Sequence, residues 1–158
     1  MNATGKIALV AAGGGVIVYL VASKLSRMKT NLIVTPVVTV SSFGLTGLVL
    51  RADVSIKNPS TGSFKMRFPF VSLYYKGTLL GSSNLVSQDI SVDAFGEANI
   101  QKILIEIPIS GVLNVASGLI DAIQNKLPVK ITIKVSTLID LGFTKVNYDD
   151  IQEISLKS

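Results

Sequence analysis

Leu48-Val49-Leu50-Arg51-Ala52-Asp53-Val54-Ser55-Ile56-Lys57-Asn58-Pro59, residues 48–59, is the stretch that decides the fold. Leu48, Leu50, Ala52, Val54 and Ile56 alternate with Val49, Arg51, Asp53, Ser55 and Lys57. Successive side chains on a strand point to opposite faces, so this alternation predicts a strand with one buried face. Asn58-Pro59-Ser60-Thr61-Gly62 then stops it, because proline has no N–H for a ladder and its neighbours favour turns.

The same period recurs on the C-terminal side. Val129, Ile131, Ile133 and Val135 alternate with Lys130, Thr132, Lys134 and Ser136. Ile103, Ile105, Ile107 and Ile109 alternate with Lys102, Leu104, Glu106 and Pro108. Weaker strands are expected over 32–41, 67–75, 87–92 and 151–156, with turns at Gly77, Gly81 and Gly96. Seven strands at this spacing predict two packed antiparallel sheets, an all-β sandwich.

One stretch follows a different period. Val112, Val115, Ala116, Leu119, Ile120 and Ile123 recur at helical spacing, and Asn114, Ser117, Asp121 and Gln124 face away. Ser110 can cap the start, and Pro128 lies just past the end. The expectation is one amphipathic helix of about four turns that covers an open end or edge of the sandwich.

The first 30 residues differ in kind. Ile7 to Ser23 is an uncharged run of 17 residues. As a helix it would span about 25 Å, at the short end of what crosses a bilayer. The apolar anchor residues are Ile7, Leu9, Val10, Val16, Ile17, Val18, Leu20 and Val21, with Tyr19 near an interface. The chain carries 15 Lys+Arg against 10 Asp+Glu, but Lys6, Lys24, Arg27 and Lys29 precede residue 30 and no acid does. The rest is therefore nearly balanced, with 11 cations against 10 acids. The basic character belongs to the flanks of the apolar run, where it can meet lipid headgroups. Nucleic acid is not an expected partner.

Mean hydropathy is +0.54, high for a soluble domain, which fits a membrane segment. The expected organisation is an anchor with its basic flank at 1–30 and a sandwich at 31–158. Val21-Ala22-Ser23 before Lys24 also permits a signal-peptide reading, which leaves a free sandwich. A helix buried in an assembly is the third reading. Lys24, Arg27 and Lys29 outnumber Lys6 and the amino terminus, which favours the C-terminal domain on the cytoplasmic or interior side.

The chain has no Cys and no His. Thiolate nucleophiles, imidazole bases, disulfides and zinc sites of the usual kind are excluded. No catalytic, cofactor or metal residue is nominated, and the chain is not expected to be an enzyme. The acids Asp140, Asp149, Asp150 and Glu153 lack calcium-loop spacing and are expected on a solvated hairpin. Asp89, Asp93 and Glu97 are expected to face solvent at strand ends. Gly13-Gly14-Gly15 matches no phosphate-binding pattern.

Phe64, Phe68, Phe70, Tyr74 and Tyr75 form an aromatic cluster. Alternation would place Phe68, Phe70 and Tyr74 on one face with Ser72, and Val71, Leu73 and Tyr75 on the other. A strand apolar on both faces is either central or a binding surface. The core reading is favoured, and Phe68, Phe70, Tyr74 and Tyr75 are the candidate interaction surface.

The order of these features resembles a known family. Val54-Ser55-Ile56-Lys57-Asn58-Pro59 is followed by Val71-Ser72-Leu73-Tyr74-Tyr75-Lys76-Gly77 and the turn Leu80-Gly81. Then come the strand into Ile107-Pro108, the helix, and a closing strand at 151–156. Residues 31–158 in this order resemble the water-stress and hypersensitive-response (WHy) domain of the group-2 late-embryogenesis-abundant proteins. The resemblance implies an immunoglobulin-like or fibronectin-III-like sandwich with one helix. It implies a non-enzymatic protein, membrane-anchored in some members, linked to desiccation stress, defence signalling and association with lipid or protein. Bacterial relatives often carry a lipid-modified Cys, which this chain lacks. Membrane lipid and protein partners are the expected contacts. The competing readings are a structural component of a membrane-containing virus particle or other assembly, and a periplasmic ligand-binding sandwich.

Overall fold

In a computed structural model of the chain, the described residues are 6–12, 15–21, 30–115, 117–142 and 144–157. Two antiparallel sheets face each other. The first runs β1 (Lys6–Ala12), β2 (Gly15–Val21), β3 (Thr30–Gly44), β4 (Gly47–Lys57) and β9 (Glu97–Pro108) in that spatial order. In the second, β10 (Val129–Asp140) is central, with β11 (Lys145–Leu156) along one side. Along the other side lie β5 (Phe64–Arg67) and β6 (Phe70–Tyr75), end to end. Their outer neighbours are β8 (Asp89–Val92) and β7 (Thr78–Ser82) respectively.

The alternation in β4 has its expected result: Leu48, Leu50, Ala52, Val54 and Ile56 are all buried, and Lys57 is exposed. Val129, Ile131, Ile133 and Val135 of β10 and Ile103, Ile105 and Ile107 of β9 complete the facing layers of the core. Ile109 does not continue β9; it begins α1 (Ile109–Val115). The single helix expected from the sequence is two short ones, α1 and α2 (Ser117–Gln124), on either side of residue 116. Buried Val112 and Leu119 pin them to the sandwich.

Gly81 is not a turn but part of β7, a strand the alternation did not reveal. A Cβ at Gly81 would sit 3.1–3.2 Å from atoms of Ile105, Glu106 and Ile107, so glycine is what lets β7 approach β9. Gly47 does the same for the β3–β4 turn. It adopts φ +145°, and a Cβ there would lie 2.2 Å from the Ile107 carbonyl oxygen.

The sheets join along β3 and β11. Val40 N–H donates to the Lys157 carbonyl and Lys157 N–H donates to the Val38 carbonyl, both at 3.0 Å. Within one strand residue, N–H and C=O point the same way, and the direction reverses at the next residue. Val38 and Val40 thus aim their polar groups away from β4, and so does Pro36 between Val38 and Val34. The missing N–H of Pro36 costs the β3–β4 ladder nothing, which is how a 15-residue strand tolerates it.

A bulge sits where β4 meets β9: Ala52 pairs with Ile103 but Val54 with Ile100. Lys102 takes φ 60° there, and its N–H donates to Asp53 Oδ1 at 2.8 Å. Arg51 grips the same carboxylate through Nε at 3.0 Å and Nη2 at 2.9 Å. Partial burial raises the Asp53 carboxyl, but the hydrogen bonds from Arg51 and Lys102 outweigh it and hold its pKa below the ordinary value. Removing this clamp leaves the bulge N–H without its partner. Asp53→Ala is expected to lower stability by about 1–2 kcal/mol in urea titration. An unchanged midpoint would mean that solvent replaces the clamp without loss.

Candidate functional site

Three surfaces bear on function: the aromatic strand, the acidic hairpin and the ends of the sandwich. The aromatic residues do not share one face. Pro69 separates β5 from β6, and Phe68 N–H turns aside to donate to the Gln88 carbonyl at 2.7 Å. Phe68 packs against the core, contrary to the expectation that it accompanies Phe70 and Tyr74. Tyr75 packs inward too, while Val71 and Leu73 are fully buried. Phe70 and Tyr74, half-buried, stay on the outer face with Ser72, whose hydroxyl lies 3.0 Å from that of Ser82. Of the four candidate interaction residues, Phe70 and Tyr74 thus lie on the outer face, and Phe68 and Tyr75, also half-buried, pack against the core.

The acidic hairpin separates into two kinds of site. Asp140 pairs with Lys145 at 3.7 Å, Asp149 with Lys134 at 3.1 Å and Glu153 with Lys130 at 3.2 Å. These are ion pairs on the solvent side, as expected of a solvated hairpin. Asp150 corrects that expectation, because it faces inward and is fully buried. Its strand begins at Lys145, six residues earlier than the alternation alone suggested.

Tyr148, Asp150 and Gln152 form a buried polar stripe on β11. Gln152 Nε2 donates to the Val34 carbonyl at 2.9 Å and to Asp150 Oδ2 at 2.7 Å. One amide proton thus ties β11 to β3, and the other is spent on Asp150 within β11. Asp150 Oδ1 and the Tyr148 hydroxyl are buried without a partner. Burial raises the Asp150 carboxyl to about 6, which the hydrogen bond from Gln152 only partly opposes. Burial, reinforced by the Asp150 charge, also pushes the Tyr148 hydroxyl well above its ordinary value.

Shallow clefts lie at both ends of the sandwich. One of about 480 Å³ is lined by Thr46–Val49 and Glu106–Pro108. Another of about 450 Å³ lies by Phe64, Lys65, Asp93 and Asp140. No group of three or more potential metal ligands occurs among the described residues. Asp89, Asp93 and Glu97 are exposed, as expected.

Asn58 of the Asn-Pro pair is fully buried. Its Nδ2 donates to the carbonyls of Gly62 at 2.8 Å and Asp93 at 2.9 Å. Its Oδ1 accepts from the Ser60 N–H at 3.0 Å and the Ser60 hydroxyl at 2.6 Å. The residue that carries most of the family resemblance therefore stitches the end of β4 to the β8–β9 turn.

The expected anchor, with its flanking Lys6, Lys24, Arg27 and Lys29, falls in residues 1–30. Residues 1–5, 13–14 and 22–29 lie outside the described residues, as do the side chains of the rest. The backbone of β1 and β2 forms an antiparallel hairpin on β3. Among the described residues no helix is long and apolar enough to cross a membrane.

No family model and no curated protein matches the chain. Among solved structures it is similar to a protein from Archaeoglobus fulgidus known from a crystal structure. The TM-score is 0.53 at 10% identity, over 78% of this chain and 95% of that one. A solution structure of a protein from Arabidopsis thaliana gives a TM-score of 0.46 at 18% identity, over 77% and 78% of the two chains. The archaeal likeness is one of fold, and the fold is an antiparallel β-sandwich.

Proposed function

We propose that this chain is a non-enzymatic, membrane-anchored sandwich of the WHy, immunoglobulin-like kind, which binds or protects at a membrane surface. The observation that carries the reading is the uncharged run from Ile7 to Ser23 between Lys6 and Lys24, with Arg27 and Lys29 beyond it. In a bilayer every backbone polar group needs a partner within the segment. A two-stranded hairpin leaves its outer edge open there, whereas a helix closes every bond internally. In water the same residues can pair along the edge of β3. The anchor is thus expected to be helical in lipid.

Flotation of native lysate on a density gradient tests this reading. Full-length chain is expected with membrane vesicles, and a chain lacking residues 1–29 in the soluble fraction. Recovery of the full chain in a dense, uniform particle fraction would replace the reading with a structural role in that particle. A mature N-terminus near Lys24 would replace it with a released, ligand-binding sandwich.

A further inference from the structure

Among the described residues, five of the ten large apolar side chains left exposed lie at the end of the sandwich remote from residue 30, and Leu85, Val86, Phe95, Leu104 and Ile151 lie elsewhere. At that end the β3–β4 turn meets α1, whose Ile109 N–H donates to the Thr46 carbonyl at 3.3 Å. The β6–β7 turn, the end of α2 and the start of β10 share a cleft there, lined by Tyr75, Lys76, Ala122 and Val129 among others. Leu45 is 98% exposed at the turn and Leu113 is 61% exposed on α1. Phe43, Leu79 and Leu127 are exposed nearby on three further segments. Protrusions on separate strands, turns and a helix suit a soft, deformable partner better than a flat protein face.

Lysines share this end. Lys126 directly precedes Leu127, Lys76 sits at the β6–β7 turn, and Lys157 follows β11. They stand against Glu106 and Asp121, while Lys130 is occupied by Glu153. A leucine beside a lysine can sink its apolar body among acyl chains while the ammonium meets an anionic headgroup. A second copy meeting this end head-on would set lysine against lysine.

Length decides which bilayer this end can reach. β3 has 15 residues and so spans about 45 Å. The anchor precedes its first residue, and the exposed turn follows its last. A sandwich standing on its anchor directs Leu45 away from the membrane that holds it.

We propose that this end docks onto an anionic bilayer facing the anchored one, so that the chain bridges two membrane surfaces. The proposal rests on the anchored reading above. Full-length chain in phosphatidylcholine vesicles is mixed with labelled, protein-free acceptor vesicles, and acceptor captured with the donors is measured after flotation. Acceptors containing phosphatidylglycerol are expected to be captured, and pure phosphatidylcholine acceptors not. The double variant Leu45→Asp, Leu113→Asp should lower capture about tenfold or more, as should Lys76→Glu with Lys126→Glu. All four side chains are exposed, so unchanged melting temperatures verify that the variants fold.

Equal capture by neutral acceptors, or by the variants, overturns the proposal. So does clustering that occurs only when both vesicle populations carry the chain, which makes a second copy the occupant. If the chain fails to float with its own donor vesicles, the anchored reading has failed instead. Docking is then read from cosedimentation of the free chain with phosphatidylglycerol vesicles, and absence of binding overturns it.

Discussion

Asn58→Ala is expected to destabilise the sandwich by about 3 kcal/mol and lower its melting temperature by about 10 °C. The side chain makes four hydrogen bonds inside the protein and has no contact with solvent. Alanine removes all four and leaves carbonyl groups of the 58–62 turn and the β8–β9 turn short of donors. A buried polar group that loses its partner costs more than the bond itself contributed. Asn58→Asp separates this account from a simple turn preference. Aspartate suits turns as well as asparagine, yet its carboxylate cannot donate to the carbonyls of Gly62 and Asp93. Both variants should therefore unfold at similar, lower urea concentrations. A wild-type midpoint for Asn58→Asp would show that the donated bonds are dispensable.

The contrast between Asn58 and Asp150 shows what was legible in the sequence. Wherever buried positions are aliphatic and regularly spaced, as in β4, β9 and β10, the period of two reports the strand directly. Asn58-Pro59 could be read as a stop, but the two carbonyls that Asn58 serves lie 4 and 35 residues away. No local pattern discloses a partner that distant. Asp150 failed for a different reason. Val146, Tyr148, Ile154 and Leu156 keep the alternation through β11, but Asp150 and Gln152 occupy two inward positions. A rule that sends charge to the surface truncates such a strand at its most informative point.

The remaining departures follow from close approach. Gly81 resembles a turn residue unless the nearness of β9 is known, and Pro69 separates Phe68 from Phe70 only because β5 and β6 take different outer partners. The exposed end was legible least of all. Leu45, Leu113 and Leu127 are remote in sequence, and only the fold brings their segments to one end.

Asp150→Asn is expected to stabilise the protein at about pH 7.5 by on the order of 2 kcal/mol. The carboxyl moves from 3.8 to about 6 on folding. Each pKa unit corresponds to about 1.4 kcal/mol, and the total is reduced here for residual screening. The sign follows from which state holds the proton. Below 3.8 the group is neutral in both states and carries no penalty. As pH rises from there to about 6, the unfolded chain ionises freely while the folded chain resists, so stability falls across that window. Above it, the folded protein holds a carboxylate whose Oδ1 has no partner, with apolar Val135 directly across on β10. Asparagine fills the same space without charge, and its oxygen can still accept from Gln152. Urea titrations at several pH values should give a wild-type stability that declines from about pH 4 to about pH 6. The variant should lack that decline and match wild type only at the acid end. Equal stability of the two proteins at about pH 7.5 would mean that the carboxylate is solvated when charged. The seam between β11 and β3 would then have to open to water in the native protein.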